Sequence, residues 1–431
     1  MAFIDKIKRP RVIIAVCAAV VVLLILFSLN NGLVWVKNIG GRGDDRFESV
    51  VQAPGGGFVA VGVSYSNDGD IPDHNAIIAK FTEDGNLVWI KNVGGTSSDE
   101  FCSVVQAPDG GFVAVGGSLS NDGDISENKG KVDAIIAKFN EDGELVWIKN
   151  VGGNLNDFFN AVNRASDGGF VAVGRSQSFD GDMSGRKGTG QAIIAKFTED
   201  GGLVWIKKFG RTAWEGQDEF FSVVQAPDGG FVAVGGSLSN DGFPPDNNAI
   251  IAKFNEDGDL VWTKAVGGTA FDEFSSVVQA PDGGFVAAGF SISNDGDIPD
   301  NKGFGDAIIA KFTEDGDLVW IKTVGGTSFD EFRSVVQAPD GGFVAVGSST
   351  SNDGDIPGNK GSRDAIIAMF AEDGELVWIK SVGGSKSDIF NAVVQAPDGG
   401  FVAVGVSLSS FGVFSLNKGS EDAIIAKFNV R

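Results

Sequence analysis

One acidic residue recurs at the same place in seven copies of a repeat, and carboxylates repeated in this way could bind cations. The seven residues are Asp45, Asp99, Asp157, Asp218, Asp272, Asp330 and Asp388. Each stands just before a predicted β-strand. If those strands lie side by side, the carboxylates form an acidic ring that acts as a cation site or a charged funnel. Alternatively, each Asp accepts backbone N–H bonds and holds its own loop. The sequence leaves both interpretations open.

A second set of oxygen-rich positions lies in polar loops. The phrase Asn-Asp-Gly-Asp occurs at 67–70, 121–124, 294–297 and 352–355, with a variant at 179–182. Closely spaced carboxylates can hold Ca²⁺, but these loops lack the twelve-residue ligand pattern with its final Glu. Asp and Asn beside Gly are also typical turn residues. We therefore expect turns and no cofactor, with weak Ca²⁺ binding as the alternative.

One short segment breaks the repeat. Seven of the eight tryptophans occupy a single repeat position, where a large ring packs between neighbouring units. The eighth, Trp214, lies in a stretch that is about three residues longer than its counterparts. Positions that depart from a repeat are not explained by the fold, so Arg211, Trp214 and Glu215 are candidate ligand-binding residues. A harmless insertion would look the same.

The residues needed for catalysis are few. His74 is the single histidine, and the sequence has no Cys–His pair and no zinc-binding spacing. Acidic pairs are common but repeated, so they single out no acid and base. A formal charge of −23 argues against binding nucleic acid, whose phosphates would be repelled.

The elements that carry these residues follow from three repeated phrases. Leu-Val-Trp, Gly-Gly-Phe-Val-Ala and Ala-Ile-Ile-Ala each occur seven times or in seven close copies, at intervals near 58 residues. One unit reads as four strands, 101–107, 112–116, 134–139 and 145–150. Turns rich in Pro, Asp and Gly join the first strand to the second and the third to the fourth.

Seven units of four antiparallel strands predict an all-β, seven-bladed β-propeller over residues 33–431. The chain begins the repeat with a lone fourth strand, 33–38, and ends it after a third strand, 423–430. The first strand can therefore complete the last blade and close the ring. Inner strands of a propeller line its channel, which would place the seven aspartates at one mouth.

The pattern Trp…Gly-Gly…Asp-Gly-Gly-Phe…Ala-Lys-Phe resembles the β-propeller repeats of secreted and surface proteins of prokaryotes. The stretch from Lys80 to Gly85, continuing to Trp89 and Gly94, is also distantly similar to the tryptophan-docking motif of quinoprotein propellers. It lacks the Thr-Gly-Lys spacing of that motif. The resemblance therefore implies a propeller and does not imply a quinone.

The first residues predict a membrane anchor. Four basic side chains lie within residues 1–11, and an uncharged run follows from Val12 to Leu29. Eighteen helical residues reach about 27 Å, close to the thickness of a bilayer core. The basic segment predicts a cytoplasmic N-terminus with the propeller outside the cytoplasm. A cleaved signal peptide, or lipidation at Cys17, are the alternatives.

These features favour a membrane-anchored extracytoplasmic module that binds a protein, glycan or cation. An enzyme acting on glycans and a purely structural envelope protein are the alternatives. An enzyme should carry an asymmetric cluster of His, Arg, Tyr or acidic residues at the channel mouth. Outside the repeated positions, the sequence draws attention to only His74 and the segment around Trp214.

Overall fold

Seven antiparallel sheets of four strands make up the described part of the chain, in a computed structural model. The structure describes residues 32–71, 73–185, 190–210, 217–237, 247–414 and 417–429. Within these ranges no helix is long and apolar enough to cross a membrane. The predicted anchor at 12–29 lies outside the described residues. The all-β, seven-bladed propeller predicted from the repeats is confirmed.

Each blade has four strands that run antiparallel in sequence order. The inner strands are β2 (Asp45–Gln52), β6 (Asp99–Gln106), β10 (Asp157–Arg164), β14 (Asp218–Gln225), β18 (Asp272–Gln279), β22 (Asp330–Gln337) and β26 (Asp388–Gln395). The second strands are β3 (Phe58–Ser64), β7 (Phe112–Ser118), β11 (Phe170–Ser176), β15 (Phe231–Ser237), β19 (Phe285–Ser291), β23 (Phe343–Ser349) and β27 (Phe401–Ser407). The third strands are β4 (Asn75–Phe81), β8 (Asp133–Phe139), β12 (Gln191–Phe197), β16 (Ala249–Phe254), β20 (Asp306–Phe312), β24 (Asp364–Phe370) and β28 (Asp422–Phe428). The outer strands are β1 (Leu33–Ile39), β5 (Leu87–Val93), β9 (Leu145–Val151), β13 (Leu203–Phe209), β17 (Leu260–Val266), β21 (Leu318–Val324) and β25 (Leu376–Val382).

The ends of several strands differ from the predicted ones. Inner strand β6 begins at Asp99, two residues before the predicted start at Phe101, because Asp99 pairs with Ser118 of β7. The second strand β7 likewise continues to Ser118. The repeated Asp is thus the first residue of the inner strand and not part of the preceding loop.

The ring closes through the N-terminal strand. Strand β1 pairs antiparallel with β28, so the last sheet has the order β1-β28-β27-β26. Next to the end of this pair, the N–H of Asn429, which follows β28, donates to the carbonyl of Gly32, which precedes β1, at 2.8 Å. Inner strand β2 also packs against β26 and β27 of the last blade. The first and last parts of the chain therefore share a blade, as the phase of the repeat predicts.

The core lies between the blades. Second strands such as β7 and third strands such as β8 are buried along their whole length, because each face of a blade is covered by a neighbour. At one junction Phe101 and Phe139 meet edge to face at 5.8 Å, and Val59 and Ile78 of the previous blade pack against them. Burying such side chains contributes about 2 kcal/mol each.

The repeated tryptophans dock onto glycines of the next blade. Trp89 of the first blade lies against Gly143, which has a φ of +77° in the hairpin between β8 and β9. The same contact joins Trp35, Trp147, Trp205, Trp262 and Trp320 to Gly85, Gly201, Gly258, Gly316 and Gly374. A glycine suits this place because it accepts positive φ and leaves room for the indole ring.

The closing blade interrupts this series. Trp378 would need a glycine in the hairpin between the third and fourth strands of the last blade, but that hairpin is divided between Asn429 and Gly32. The Lys380 ammonium instead lies 4.3 Å from the centre of the Trp378 ring. At this junction a cation thus lies over the indole face and close to Gly32, which has the positive φ (+65°) of the hairpin glycines.

Neighbouring inner strands are joined by hydrogen bonds around the channel. In five blades a Ser Oγ accepts from a Val N–H of the next blade: Ser49 from Val104, Ser103 from Val162, Ser222 from Val277, Ser276 from Val335 and Ser334 from Val393. The third and seventh blades have Ala161 and Ala392 at this position. There Asn160 and Asn391, one residue earlier, donate to a carbonyl of the next blade at 2.9 Å. Every described junction between inner strands therefore keeps a polar link.

The tryptophan contact can be tested with two glycine substitutions. We expect Gly399→Ala to lower the free energy of unfolding by about 1 kcal/mol, because an L-residue is strained at its φ of +83° and nothing lies within 4 Å of the new Cβ. Gly143→Ala has the same backbone cost, but its Cβ would lie 2.6 Å from Trp89. It should cost roughly 1–2 kcal/mol more. Equal losses in urea denaturation would show that the indole contact does not matter for stability.

Candidate functional site

The seven aspartates of the predicted ring are buried at the starts of the inner strands, with at most 3% of each exposed. In the second blade Asp99 accepts hydrogen bonds from the Gly95 N–H at 2.8 Å and from the Ser120 hydroxyl at 2.7 Å. Its other oxygen accepts from the Ser118 hydroxyl. Equivalent Gly and Ser partners surround Asp45, Asp157, Asp272, Asp330 and Asp388. These carboxylates hold the loop that enters the blade and lie beneath the mouth of the channel.

The Asn-Asp-Gly-Asp loops fasten the same entering loop from the other side. Asp122 accepts from the Thr96 N–H at 2.7 Å and from the Thr96 hydroxyl at 2.8 Å, and Asp124 accepts from the Gly94 N–H at 3.2 Å. Hydrogen bonds of this kind keep the pKa of Asp122 below its usual value. The oxygens of these loops are thus used as acceptors for backbone N–H groups.

A further row of buried aspartates begins four of the third strands: Asp133, Asp306, Asp364 and Asp422. Asp306 accepts from the Lys302 N–H at 3.0 Å, while its Oδ1 has no hydrogen-bond partner. Burial raises the pKa of Asp306 to about 6, and the nearby Asp330 adds to the effect. No pattern in the sequence distinguishes this row from ordinary turn residues.

No group of three or more His, Cys, Asp or Glu side chains is arranged to hold a metal ion within the described ranges. The tryptophans that carry the resemblance to quinoprotein propellers lie on outer strands and pack on glycines.

Two of the candidate regions differ in how far the structure describes them. Arg211, Trp214 and Glu215 lie outside the described residues, so their role stays a prediction. His74 lies in an exposed loop, where its Nδ1 is 3.0 Å from the Asp73 carboxylate. The described side-chain partner of His74 is thus its sequence neighbour Asp73.

The channel mouth is lined by a position that the sequence analysis passed over. It directly follows the repeated Asp, so strand alternation places it on the opposite side of the inner strand from the buried Asp and Phe. There it lies next to the second strand of the preceding blade, as Glu273 does beside Gly236. Its seven occupants are Arg46, Glu100, Phe158, Glu219, Glu273, Glu331 and Ile389. The position two residues later is equally varied and includes Glu48, Cys102 and Arg333. We call the charged members of this set the mouth cluster: Arg46, Glu48, Glu100, Glu219, Glu273, Glu331 and Arg333.

Most carboxylates of the mouth cluster are paired with arginine. Arg46 contacts Glu48 at 2.6 Å and, across the blade junction, Glu100 at 3.1 Å. The Glu331 carboxylate lies 2.8 Å from the Arg333 guanidinium and accepts a hydrogen bond from the Ser348 hydroxyl at 2.8 Å. Arg363, at the start of β24, reaches the same Glu331 oxygen at 3.7 Å.

The blades between these pairs are more acidic. Glu219 accepts from the Asn160 amide at 2.8 Å and lies 3.4 Å from Arg175. Among the described residues Glu273 has no ion pair, and its one hydrogen bond comes from the Ser275 hydroxyl at 3.3 Å. Burial, together with the negative charges of Glu219 and Glu331, raises the pKa of Glu273 to about 7 against the opposing effects of the Ser275 hydroxyl and Arg333. At neutral pH this carboxyl is therefore close to half protonated.

Cys102 also lines the channel, but it is not an activated thiol. Desolvation raises its pKa well above the ordinary value, and the charge of Glu100 adds to the rise. A thiol that remains protonated is a poor nucleophile.

The mouth cluster could have been found from the sequence by one signal. Within a repeat whose Asp and Phe positions do not change, the residue after the Asp is Glu in four blades but Arg46, Phe158 and Ile389 in the others. Insertions and rare residue types, such as Trp214 and His74, do not mark this position, because its occupants are common residues within an unbroken repeat.

Seven four-stranded blades around a channel define the class of the protein, a β-propeller. Residues 129–349, just over half of the chain, match the family PQQ_2, described as outer membrane protein assembly factor BamB. The chain belongs to this family.

Individual relatives are distant. Regulatory protein FlaEY of Caulobacter vibrioides is 24% identical over 392 residues, which cover 83% of this chain and 38% of FlaEY. This chain thus spans well under half of that protein. The structure of BBS1N in complex with ARL6DN, soaked with lead, has a TM-score of 0.50 at 9% identity, covering 93% of this chain and 96% of that one. Sqt1 from Chaetomium thermophilum gives a TM-score of 0.48 at 13% identity, covering 93% and 99%. At these identities the likeness concerns the fold alone.

The unpaired carboxyl predicts a pH-dependent stability. Because folding raises the pKa of Glu273, its contribution is fully present below about pH 4.5 and is lost as the pH rises through about 7. The variant Glu273→Gln stays neutral and should exceed the unaltered ring in stability by on the order of 1 kcal/mol at pH 8, but not at pH 5. Thermal melting at both pH values measures this. The exposed Asp142→Asn is the control, and a Glu273→Gln effect that does not change with pH would contradict the assignment.

Proposed function

We propose that this chain is a membrane-anchored, extracytoplasmic propeller that binds another protein and acts as a scaffold. The observation that carries the proposal is the mouth cluster. Packing positions of the ring repeat from blade to blade and meet one another. The position after the repeated Asp holds Glu in four blades and Arg46, Phe158 and Ile389 in the other three, and the four Glu side chains have different partners. A surface whose side chains do not follow the sevenfold repeat of the backbone is suited to binding one partner in one orientation.

The descriptions of the family and of one relative are consistent with a role in protein binding. BamB is described as an assembly factor and FlaEY as a regulatory protein. Carried over to this chain, both descriptions suggest that it works by binding other proteins.

The membrane part of the proposal rests on the uncharged run from Val12 to Leu29 and on the position of β1. Strand β1 starts beside the end of β28, on the face that carries the short hairpins. Only residues 30–32 separate the predicted anchor from this strand, and three residues reach about 10 Å at most. An anchor here would hold the hairpin face towards the membrane and turn the long-loop face, with the mouth cluster, away from it.

A second candidate function is an enzyme acting on glycans. It is supported by Glu273, whose pKa of about 7 would let it act as a general acid beside the carboxylates of Glu219 and Glu331. Such an enzyme would release product from a glycan substrate and would lose this activity in Glu273→Gln. Binding without turnover would favour the scaffold.

The orientation can be measured by labelling in spheroplasts. With Cys17 and Cys102 replaced by Ser, we expect Asn121→Cys on the long-loop face to react readily with a bulky maleimide. Asp109→Cys on the hairpin face should react slowly until detergent dissolves the membrane, although both positions are exposed on the ring. The neighbouring Ser120 is unsuitable for labelling, because it is fully buried and donates a hydrogen bond to Asp99. Equal labelling of both positions in an uncleaved chain would rule out this orientation.

The binding function can be tested by photocrosslinking in cells that make the full-length chain. A photoreactive amino acid at Asn121 should give a discrete crosslinked protein. The same group at Asp142, on the hairpin face, is the matched control and should not give that product. No crosslinked protein from several long-loop positions would count against a protein-binding role.

A further inference from the structure

An aromatic patch borders the channel mouth on the fifth and sixth blades. Phe271 and Phe290 have ring centres 5.6 Å apart, Phe290 and Phe329 are 5.2 Å apart, and Phe304 and Phe329 are 6.5 Å apart. Phe304 is 72% exposed, and the other three are partly exposed. Four phenyl rings in a row give an apolar surface on an otherwise polar, acidic face.

This patch is not a product of the repeat. The positions equivalent to Phe290 hold Val63, Gly117, Arg175, Gly236, Ser348 and Val406. The positions equivalent to Phe271 and Phe329, just before the repeated Asp, hold Asp44, Ser98, Asn156, Gln217 and Ser387. Since the other blades fold without these rings, packing of the blade does not require them.

The aromatic patch adjoins the uncompensated carboxyl of the mouth cluster. Phe290 is the cross-strand partner of Glu273, so the ring and the carboxyl lie side by side on the first two strands of one blade. On the sixth blade the Arg363 guanidinium lies 5.7 Å from the centre of the Phe329 ring while it contacts Glu331. Glu331 is thus compensated by Arg333 and Arg363, whereas Glu273 has no described counter-ion.

We propose that Phe271, Phe290, Phe304 and Phe329, together with Glu273, form the docking site for a peptide segment of the partner protein in which a Lys or Arg neighbours an aromatic or other large apolar residue. This assignment rests on the proposed protein-binding function. The apolar side chain packs on the exposed rings, and the basic group enters the mouth to meet Glu273.

Charge complementarity selects this occupant. A cation supplies Glu273 with the counter-ion that the neighbouring Glu219 and Glu331 receive from Arg175, Arg333 and Arg363. A second copy of the chain is disfavoured, because each copy has a formal charge of −23. An acidic or uncharged peptide would leave the carboxyl buried without a partner.

The test uses the full-length chain in detergent and fluorescent, terminally capped hexapeptides that contain a Trp-Lys pair, with matched peptides in which Glu replaces Lys. Fluorescence anisotropy should show binding of the Lys peptides and at least tenfold weaker binding of the Glu peptides. Glu273→Gln and Phe304→Ala should each weaken binding of the Lys peptides about tenfold. Phe411→Ala removes an equally exposed ring (73%) outside the patch and should bind as the unaltered chain does. Asp142→Asn is the corresponding charge control.

A pH series gives a readout that misfolding cannot imitate. Binding of the Lys peptides should strengthen up to about tenfold from pH 6 to pH 8 as Glu273 ionises among Glu219, Glu331 and Arg333, and Glu273→Gln should abolish this dependence. Unchanged binding in both patch variants, or equal binding of Lys and Glu peptides, would overturn the assignment. So would binding of glycans on an array in place of the peptides. If the patch variants bind the peptides as the unaltered chain does, and the full-length chain still crosslinks to a partner in cells, the scaffold function stands. Only the proposed docking site is then wrong.

Discussion

A blade of this propeller has two apolar faces, and neither can be covered unless another blade packs against it. The second and third strands, such as β7 and β8, are buried along their full length, so a single blade in water would expose both sides of its core. Packing blades in a row only moves the exposed faces to the ends. Closing the row into a ring removes them, and the pairing of β1 with β28 is how this chain closes it.

The polar groups of the molecule follow from that constraint. Inner strands that meet around a channel are linked by a Ser hydroxyl, or by Asn160 and Asn391 where Ala takes the place of Ser. Loops that enter the blades are held by buried aspartates such as Asp99. At the periphery, indole rings rest on glycines of the next blade, and at the divided hairpin the Lys380 ammonium lies over the Trp378 ring. Seven nearly equal junctions leave little freedom for any repeated residue to change.

Function is therefore to be sought among positions that the frame does not use. The mouth cluster and the aromatic patch form such a region, because their residues, or the partners of those residues, are not the same in all seven blades while the surrounding residues repeat. Their charges are not evenly distributed. Arginines neutralise the carboxylates of blades one, two and six, whereas Glu273 on blade five stays without a described partner and is consequently hard to ionise. A site of this kind is asymmetric in charge, although the backbone beneath it is nearly symmetric.

The sequence by itself determined the number of blades, the four strands in each and the closure of the ring. These depend on short-range patterns, namely hydrophobic runs, Asp-Gly turns and the phase at which the repeat begins and ends. It also indicated that the repeated tryptophans pack between blades, although not that six of the seven lie against a glycine of the next blade. Only the tertiary structure decided what the aspartates do and which residues form the mouth. Asp99 and Glu100 are adjacent acids in the chain, yet one is buried beneath hydroxyl and N–H donors and the other faces the channel. Whether Glu273 has a counter-ion depends on side chains more than forty residues away in sequence, on other blades, and a pattern within one repeat carries no information about them.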